Sequence, residues 1–159
     1  MRIFLTVGSM LPFDRLVHAM DAWAGTNRHA EVFAQIGDSD LRPEHIDYRH
    51  FISPAEFRGH FAASDVVVSH VGMGTVITAF ESNKPLVMLP RRPELGEVTS
   101  NHQLATARWL AGRPGMRIID DERSLPSALS IEAPTIGAAY IETGTKAALV
   151  NALRQFIAD

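Results

Sequence analysis

The chain is expected to fold as a single α/β domain, a parallel sheet of about six strands with helices on both faces. Three observations predict this. Short apolar runs alternate along the chain with stretches of helical period, the pattern of successive strand–helix units. The runs Val66-Val67-Val68 and Leu86-Val87-Met88-Leu89 are solidly apolar, as strands covered on both faces are. The runs also end on turn residues: Gly8-Ser9, Gly37-Asp38 and Pro90.

The elements follow in order. A strand over 3–7 stops at Gly8-Ser9. Pro12-Phe13-Asp14 leads into a helix to about Trp23, in which Leu16, Ala19, Met20 and Trp23 recur at helical spacing. Residues 31–36 make a second strand and 48–52 a short third. Ser53-Pro54-Ala55-Glu56 has the form of a capped helix start, with Ser at the cap, Pro first and Glu third. That helix ends near Ser64. Strand four covers 66–69, and the helix after Gly74 runs to about Asn83. Strand five covers 86–89, a polar loop 91–99, and a helix about 101–111. Residues 116–119 are a sixth strand and 125–129 a short helix. About 131–143 is an irregular linker to an amphipathic helix over 145–157, whose stripe of Leu149, Leu153, Phe156 and Ile157 reads as core packing. All of 1–159 is one domain.

Composition narrows the function. The 159 residues are 46% hydrophobic and 21% charged, as in a globular protein with a real core. A net charge of -3 argues against a general electrostatic grip on nucleic acid. Without cysteine there are no disulfides and no thiolate chemistry, which fits a cytoplasmic protein. No apolar run approaches the roughly 18–20 residues of a membrane-spanning helix, and the N-terminus reads as a core strand rather than a secretory signal.

In parallel sheets of this kind ligands sit beyond the carboxyl ends of the strands. Gly8, residues 70–75 and residues 90–103 fall at such ends. In Val71-Gly72-Met73-Gly74-Thr75 the glycines admit close backbone approach, and helix-start amides face negative charge. Thr75 can cap the helix and donate its hydroxyl. A tight turn with no ligand is the equal alternative. The loop lacks the Gly-Lys-Ser/Thr of a P-loop and the third glycine of a dinucleotide fingerprint. His70 either donates to a phosphate or is a buried structural histidine. Thr78 and Glu81 lie about one turn apart; Glu81 either binds two ribose hydroxyls or is solvated. Asn101-His102-Gln103 opens a helix with side chains suited to sugar hydroxyls, or with one cap and two exposed neighbours. Arg91-Arg92 either offsets diphosphate charge or is a solvated pair. Gly8-Ser9 with Met10-Leu11 places two apolar residues at the ligand edge, for a substrate or another subunit. No metal-ligand spacing and no nucleophile elbow appears.

Several segments taken together resemble a known family. Thr6-Val7-Gly8-Ser9, Pro12-Phe13-Asp14-Arg15-Leu16, Ser69-His70-Val71-Gly72-Met73-Gly74-Thr75, Asn83-Lys84-Pro85-Leu86-Val87 and Asn101-His102-Gln103 occur in the order found in the C-terminal domain of family 28 glycosyltransferases. The resemblance runs from Met1 to about Ala111. It looks closest to the small stand-alone members: the catalytic subunit of the two-part N-acetylglucosaminyltransferase acting on dolichol-linked sugar, and its bacterial exopolysaccharide counterparts.

The resemblance implies a Rossmann-like lobe, one half of a GT-B enzyme, that binds a UDP-sugar. The Gly72-Met73-Gly74-Thr75 loop would hold the diphosphate, with Gly8, Ser9 and His70 beside it. Asn101, His102 and Gln103 would face the sugar or phosphates. It further implies an inverting, metal-independent transfer to a lipid-pyrophosphate-linked saccharide in surface polysaccharide synthesis, with no cofactor beyond the donor. Many relatives carry an acidic ribose contact where this chain has Thr78, and Glu81 one turn on is the substitute at hand. The lobe that usually supplies the general base is not in this sequence. The implied partner is therefore a membrane-associated, acceptor-binding subunit that brings the base and holds the chain at the inner face of the membrane. A homodimer in isolation is a further expectation, and a non-catalytic nucleotide-sugar-binding regulator is the rival function.

Overall fold

In the computed structural model, residues 1–99 and 102–130 are described. Six parallel strands form one sheet in the order β3-β2-β1-β4-β5-β6. They are β1 (Arg2–Thr6), β2 (Glu31–Gln35), β3 (Asp47–Arg49), β4 (Val66–His70), β5 (Leu86–Leu89) and β6 (Met116–Ile118). The helices are α1 (Asp14–Thr26), α2 (Pro54–Ala63), α3 (Met73–Ser82), α4 (His102–Leu110) and α5 (Leu125–Ser130). Among the described residues no helix is long and apolar enough to cross a membrane.

Period-two alternation sorts the side chains onto the two faces. Ile3, Leu5, Val32, Ala34, Val66, Val68, Val87 and Leu89 pack with α1 residues Leu16, Val17, Met20 and Trp23 and α5 residues Leu125 and Leu129. Phe4, Val67, Leu86, Met88 and Met116 pack on the other face with Phe61 of α2, Val76, Ala79 and Phe80 of α3, and Ala107 and Leu110 of α4. Both faces are covered, as the solid apolar runs implied.

Local chemistry sets the element ends. The capping box on α2 is present in full: Glu56 N–H donates to Ser53 Oγ at 3.2 Å, and Ser53 N–H donates to Glu56 Oε2 at 2.9 Å. The Asn83-Lys84-Pro85 segment is a structural joint. Asn83 takes a left-handed φ of 54° that closes α3, a conformation Asn tolerates. Lys84 Nζ donates to the Ser64 carbonyl at 2.7 Å, tying the end of α2 to the start of β5.

Some expectations shift. The third strand is 47–49 rather than 48–52, because pairing with β2 ends once Arg49 is opposite Gln35. The polar 91–99 loop contains a 3-10 turn at Pro93–Leu95, and another at Glu122–Ser124 precedes α5. Helix α3 starts at Met73, with Gly72 as its cap, so Thr75 lies inside the first turn and does not cap it. The expected linker and terminal helix, 131–143 and 145–157, lie outside the described residues.

Candidate functional site

From β1 the chain steps outward through β2 and β3, then crosses back to β4 and continues through β5 to β6. That reversal opens a crevice at the carboxyl ends of β1 and β4. The loops after β1, β4 and β5 meet around it.

His70 joins two of these loops. Its imidazole lies between glycines: a Cβ on Gly8 would stand 2.7 Å from Cε1, and one on Gly72 2.3 Å from Nε2. Neither position accepts a side chain while the ring stays, and Gly8 also has a left-handed φ of 80°. His70 Nδ1 is buried with no hydrogen-bond partner among the described residues. Burial first, then the Arg91 charge, push the His70 pKa down to about 4, against an upward pull from the Thr6 backbone. The ring is therefore neutral at neutral pH.

Next to it, α3 begins uncapped. Gly72 is extended (φ -110°, ψ 128°), and no side chain caps the helix. Val76 N–H donates to the Gly72 carbonyl at 3.1 Å, so the amides of Met73, Gly74 and Thr75 precede the first intrahelical bond. They form the positive end of the helix. Gly74 is exposed, and a Cβ there would meet nothing within 4 Å. The two glycines thus differ: Gly72 makes room for His70, whereas Gly74 leaves the helix start bare. The Thr78 hydroxyl donates to the Gly74 carbonyl at 2.9 Å, keeping its lone pairs for other donors. Glu81 is exposed near the far end of α3, about 10 Å along the axis from Gly74 at the helical rise per residue.

Of the two readings of Arg91, the solvated one does not hold. The residue is only 3% exposed. It donates to the carbonyls of Val7 at 2.8 Å and Leu11 at 2.7 Å, and to that of Pro12. Its guanidinium carbon stands 4.7 Å from the centre of the Phe13 ring. Burial pushes its pKa down to about 10, with Glu97 acting to raise it, so it remains a cation at neutral pH. A buried guanidinium needs acceptors, and the loop carbonyls supply them, so Arg91 and Arg92 do not form an open basic pair. Arg92 donates from its side chain to the Asp120 carbonyl and from its backbone to Glu97 Oε2 at 2.8 Å.

The start of α4 is tied to the same loops. Arg91 N–H donates to Gln103 Oε1 at 3.1 Å, so the carbonyl end of that side chain is engaged within the protein. His102 is the first residue of α4, and Asn101 lies outside the described residues. Ser9 and Met10 are exposed in the loop after β1, Met10 at 90%.

Two further groups were not anticipated. Thr6 Oγ1 donates to Gln35 Oε1 at 2.7 Å, while Gln35 Nε2 donates to the Gly8 carbonyl at 3.1 Å, fixing the loop where it leaves β1. A polar Gln between Ala34 and Ile36 at a strand end was the available signal. Arg15 grips Glu97 with two bonds of 2.7 and 2.8 Å, reaches Glu122 at 2.8 Å, and donates to the Pro90 carbonyl at 3.0 Å. These partners raise the pKa of Arg15 and lower that of Glu122. Charges 82 and 107 residues apart carry no local sequence pattern that would pair them.

A separate groove of about 340 Å³, lined by Arg2, Phe33, Asp47 and His60 among others, lies along the amino ends of β1 and β2. It is at the opposite edge from these loops. Among the described residues no group of His, Asp and Glu could hold a metal ion.

A parallel sheet in this order, with an uncapped helix start beside a glycine–histidine–glycine junction at the switch point, has the architecture of the nucleotide-binding lobe of a GT-B glycosyltransferase. The chain belongs to the glycosyltransferase family 28 C-terminal domain, whose family model matches residues 2–133. No curated protein matches the sequence.

Among solved structures, the glycotransferase of kitacinnamycin superposes with a TM-score of 0.65 at 19% identity, over 98% of this chain and 40% of that one. The solution structure of ALG13 superposes with a TM-score of 0.61 at 16% identity, over 85% of this chain and 88% of that one. The Streptomyces sp. SF2575 glycosyltransferase SsfS6, complexed with thymidine diphosphate, gives 0.59 at 21% identity, over 99% of this chain and 41% of that one. At these identities the likeness is one of fold. The chain spans about 40% of the length of the first of these structures.

Proposed function

We propose that this chain is the donor-binding subunit of an inverting, metal-independent glycosyltransferase. It would move a sugar from a UDP-sugar to a lipid-pyrophosphate-linked saccharide in surface polysaccharide synthesis. The observation that carries the reading is the bare start of α3: the amides of Met73, Gly74 and Thr75 precede the first intrahelical bond, no side chain caps them, and a neutral His70 stands beside them. A diphosphate suits such a terminus because its charge is met by fixed dipoles. As UDP leaves, the same amides would stabilise the developing charge without a metal.

The remaining assignments follow from position. Gly8, Ser9 and His70 would wall the diphosphate, with Gly72, Met73, Gly74 and Thr75 beneath it. Thr78 or Glu81 would meet the ribose, and Asn101, His102 and Gln103 the sugar. Arg91 and Arg92 would serve from behind, holding loops rather than touching phosphate. The general base would come from a membrane-associated partner subunit that also binds the acceptor and keeps this chain at the inner face of the membrane.

The test is transfer of labelled sugar from a panel of UDP-sugars, using the purified chain, membranes of the organism that encodes it, or both. Label should enter the lipid extract from one UDP-sugar only when both are present, and EDTA should not reduce it. Efficient transfer by the chain alone would overturn the two-part reading. UDP binding with no transfer in any combination would favour a regulatory nucleotide-sugar-binding module instead.

A further inference from the structure

The loop between β1 and α1 borders the crevice, yet its shape is held from outside. The hydrogen bonds on the carbonyls of Val7, Leu11 and Pro12 come from the Arg91 side chain, which belongs to the loop after β5. Phe13 at the end of the same loop stacks under that guanidinium at 4.7 Å. Arg91 is itself fixed from two sides. Its backbone N–H donates to Gln103 Oε1 at 3.1 Å, and a guanidinium nitrogen approaches the Glu97 carbonyl at 3.4 Å. The opposite side of the loop, at Gly8, rests against His70 and thereby against Gly72 and the start of α3. One buried cation thus connects the start of α4 with a loop that abuts the diphosphate seat.

We infer that Arg91 is a positioning residue: it fixes the 7–12 loop relative to α3 and α4, so that Gly8 and Ser9 are in place before a nucleotide diphosphate arrives. This deepens the proposed function and rests on it for the identity of the ligand. The coupling to the loop rests on the contacts above. A planar guanidinium serves several carbonyls at once and stacks on a ring, which an ammonium on a single stem does not reproduce. Preorganisation of this kind removes an ordering cost from binding. Charge alone is not the function, so lysine should fail to replace arginine.

The test combines backbone ¹⁵N relaxation with UDP titration on the full chain, comparing wild type and Arg91→Lys. In wild type, residues 8–11 should have order parameters near those of rigid backbone, about 0.8, and in the variant below about 0.6. Order parameters of β4 and α3 should stay unchanged, UDP affinity should fall about 5-fold, and saturating UDP should restore order to the loop. Unchanged loop order, wild-type UDP affinity in the variant, or loosening spread equally through β4 and α3 would overturn the inference. Should Arg91→Lys fail to fold, Gln103→Leu carries the test by removing the acceptor of the Arg91 backbone; the loop is expected to loosen, and a loop as rigid as wild type would count against the coupling. If UDP binds neither protein, the relaxation data still decide the loop's anchoring, and it is the donor-site reading that fails.

Discussion

Gly72→Ala is expected to destabilise the fold by about 2 kcal/mol, within the range for overpacking a filled site, and to weaken UDP binding at least 10-fold. The backbone of Gly72 is not the obstacle, since φ -110° and ψ 128° suit any residue. The obstacle is His70 Nε2, 2.3 Å from where the new methyl would sit. The ring is also buried and lies beside Gly8, where an added Cβ would stand 2.7 Å from Cε1. The conflict would therefore be relieved by moving the β1–α1 loop or the start of α3, the two walls of the proposed seat. A double-mutant cycle in urea separates this from a general intolerance. In a His70→Ala background the added methyl should cost almost nothing, giving a coupling energy of about 1–3 kcal/mol. Equal costs in both backgrounds would show that the ring is not what requires glycine.

The second large effect lies in the charge cluster behind the site. Arg15→Met should lower stability by about 2–4 kcal/mol, because removing one partner leaves the other charge desolvated and unpaired. The Arg15 and Glu97 side chains are only 13% and 12% exposed, and Glu122 also loses its partner. The Arg2–Glu31 pair, at 63% and 72% exposed, is the natural contrast: Arg2→Met should cost less than about 1 kcal/mol, in line with surface pairs. Urea denaturation of the two variants side by side checks the ranking. Comparable losses would mean that the Arg15 cluster is better solvated than its geometry indicates. Since Arg15 bridges Pro90, Glu97 and Glu122, the variant should also loosen the loop after β5.

The fold was legible because its signals are local and redundant. Val66-Val67-Val68 and Leu86-Val87-Met88-Leu89 announce buried parallel strands, and Ser53-Pro54-Ala55-Glu56 states its capping box outright. Boundaries were less legible where tertiary pairing decides them, as at β3 and at the first turn of α3. The glycines after β4 stand out in the sequence, but sequence alone could not say that Gly72 makes room for His70 while Gly74 faces open space. Nor could it separate Arg91 from Arg92. Adjacent residues of identical chemistry end up with one side chain buried beneath the β1–α1 loop and the other reaching the Asp120 carbonyl. The Arg15–Glu97–Glu122 cluster depends wholly on the chain's return path, which no periodicity encodes.

Gly74→Asp offers the sharpest test of the diphosphate seat, since the added side chain meets nothing within 4 Å and an acidic residue in the first turn of a helix is favourable. The measurement is calorimetric titration of UDP, in EDTA, into the wild-type chain and the Gly74→Asp variant, with thermal unfolding run on both. The expected result is UDP binding by the wild type, none detectable in the variant, and a variant melting temperature equal to or above wild type. Equal UDP binding by both proteins would place the diphosphate elsewhere and contradict the assignment of the α3 start as the donor site.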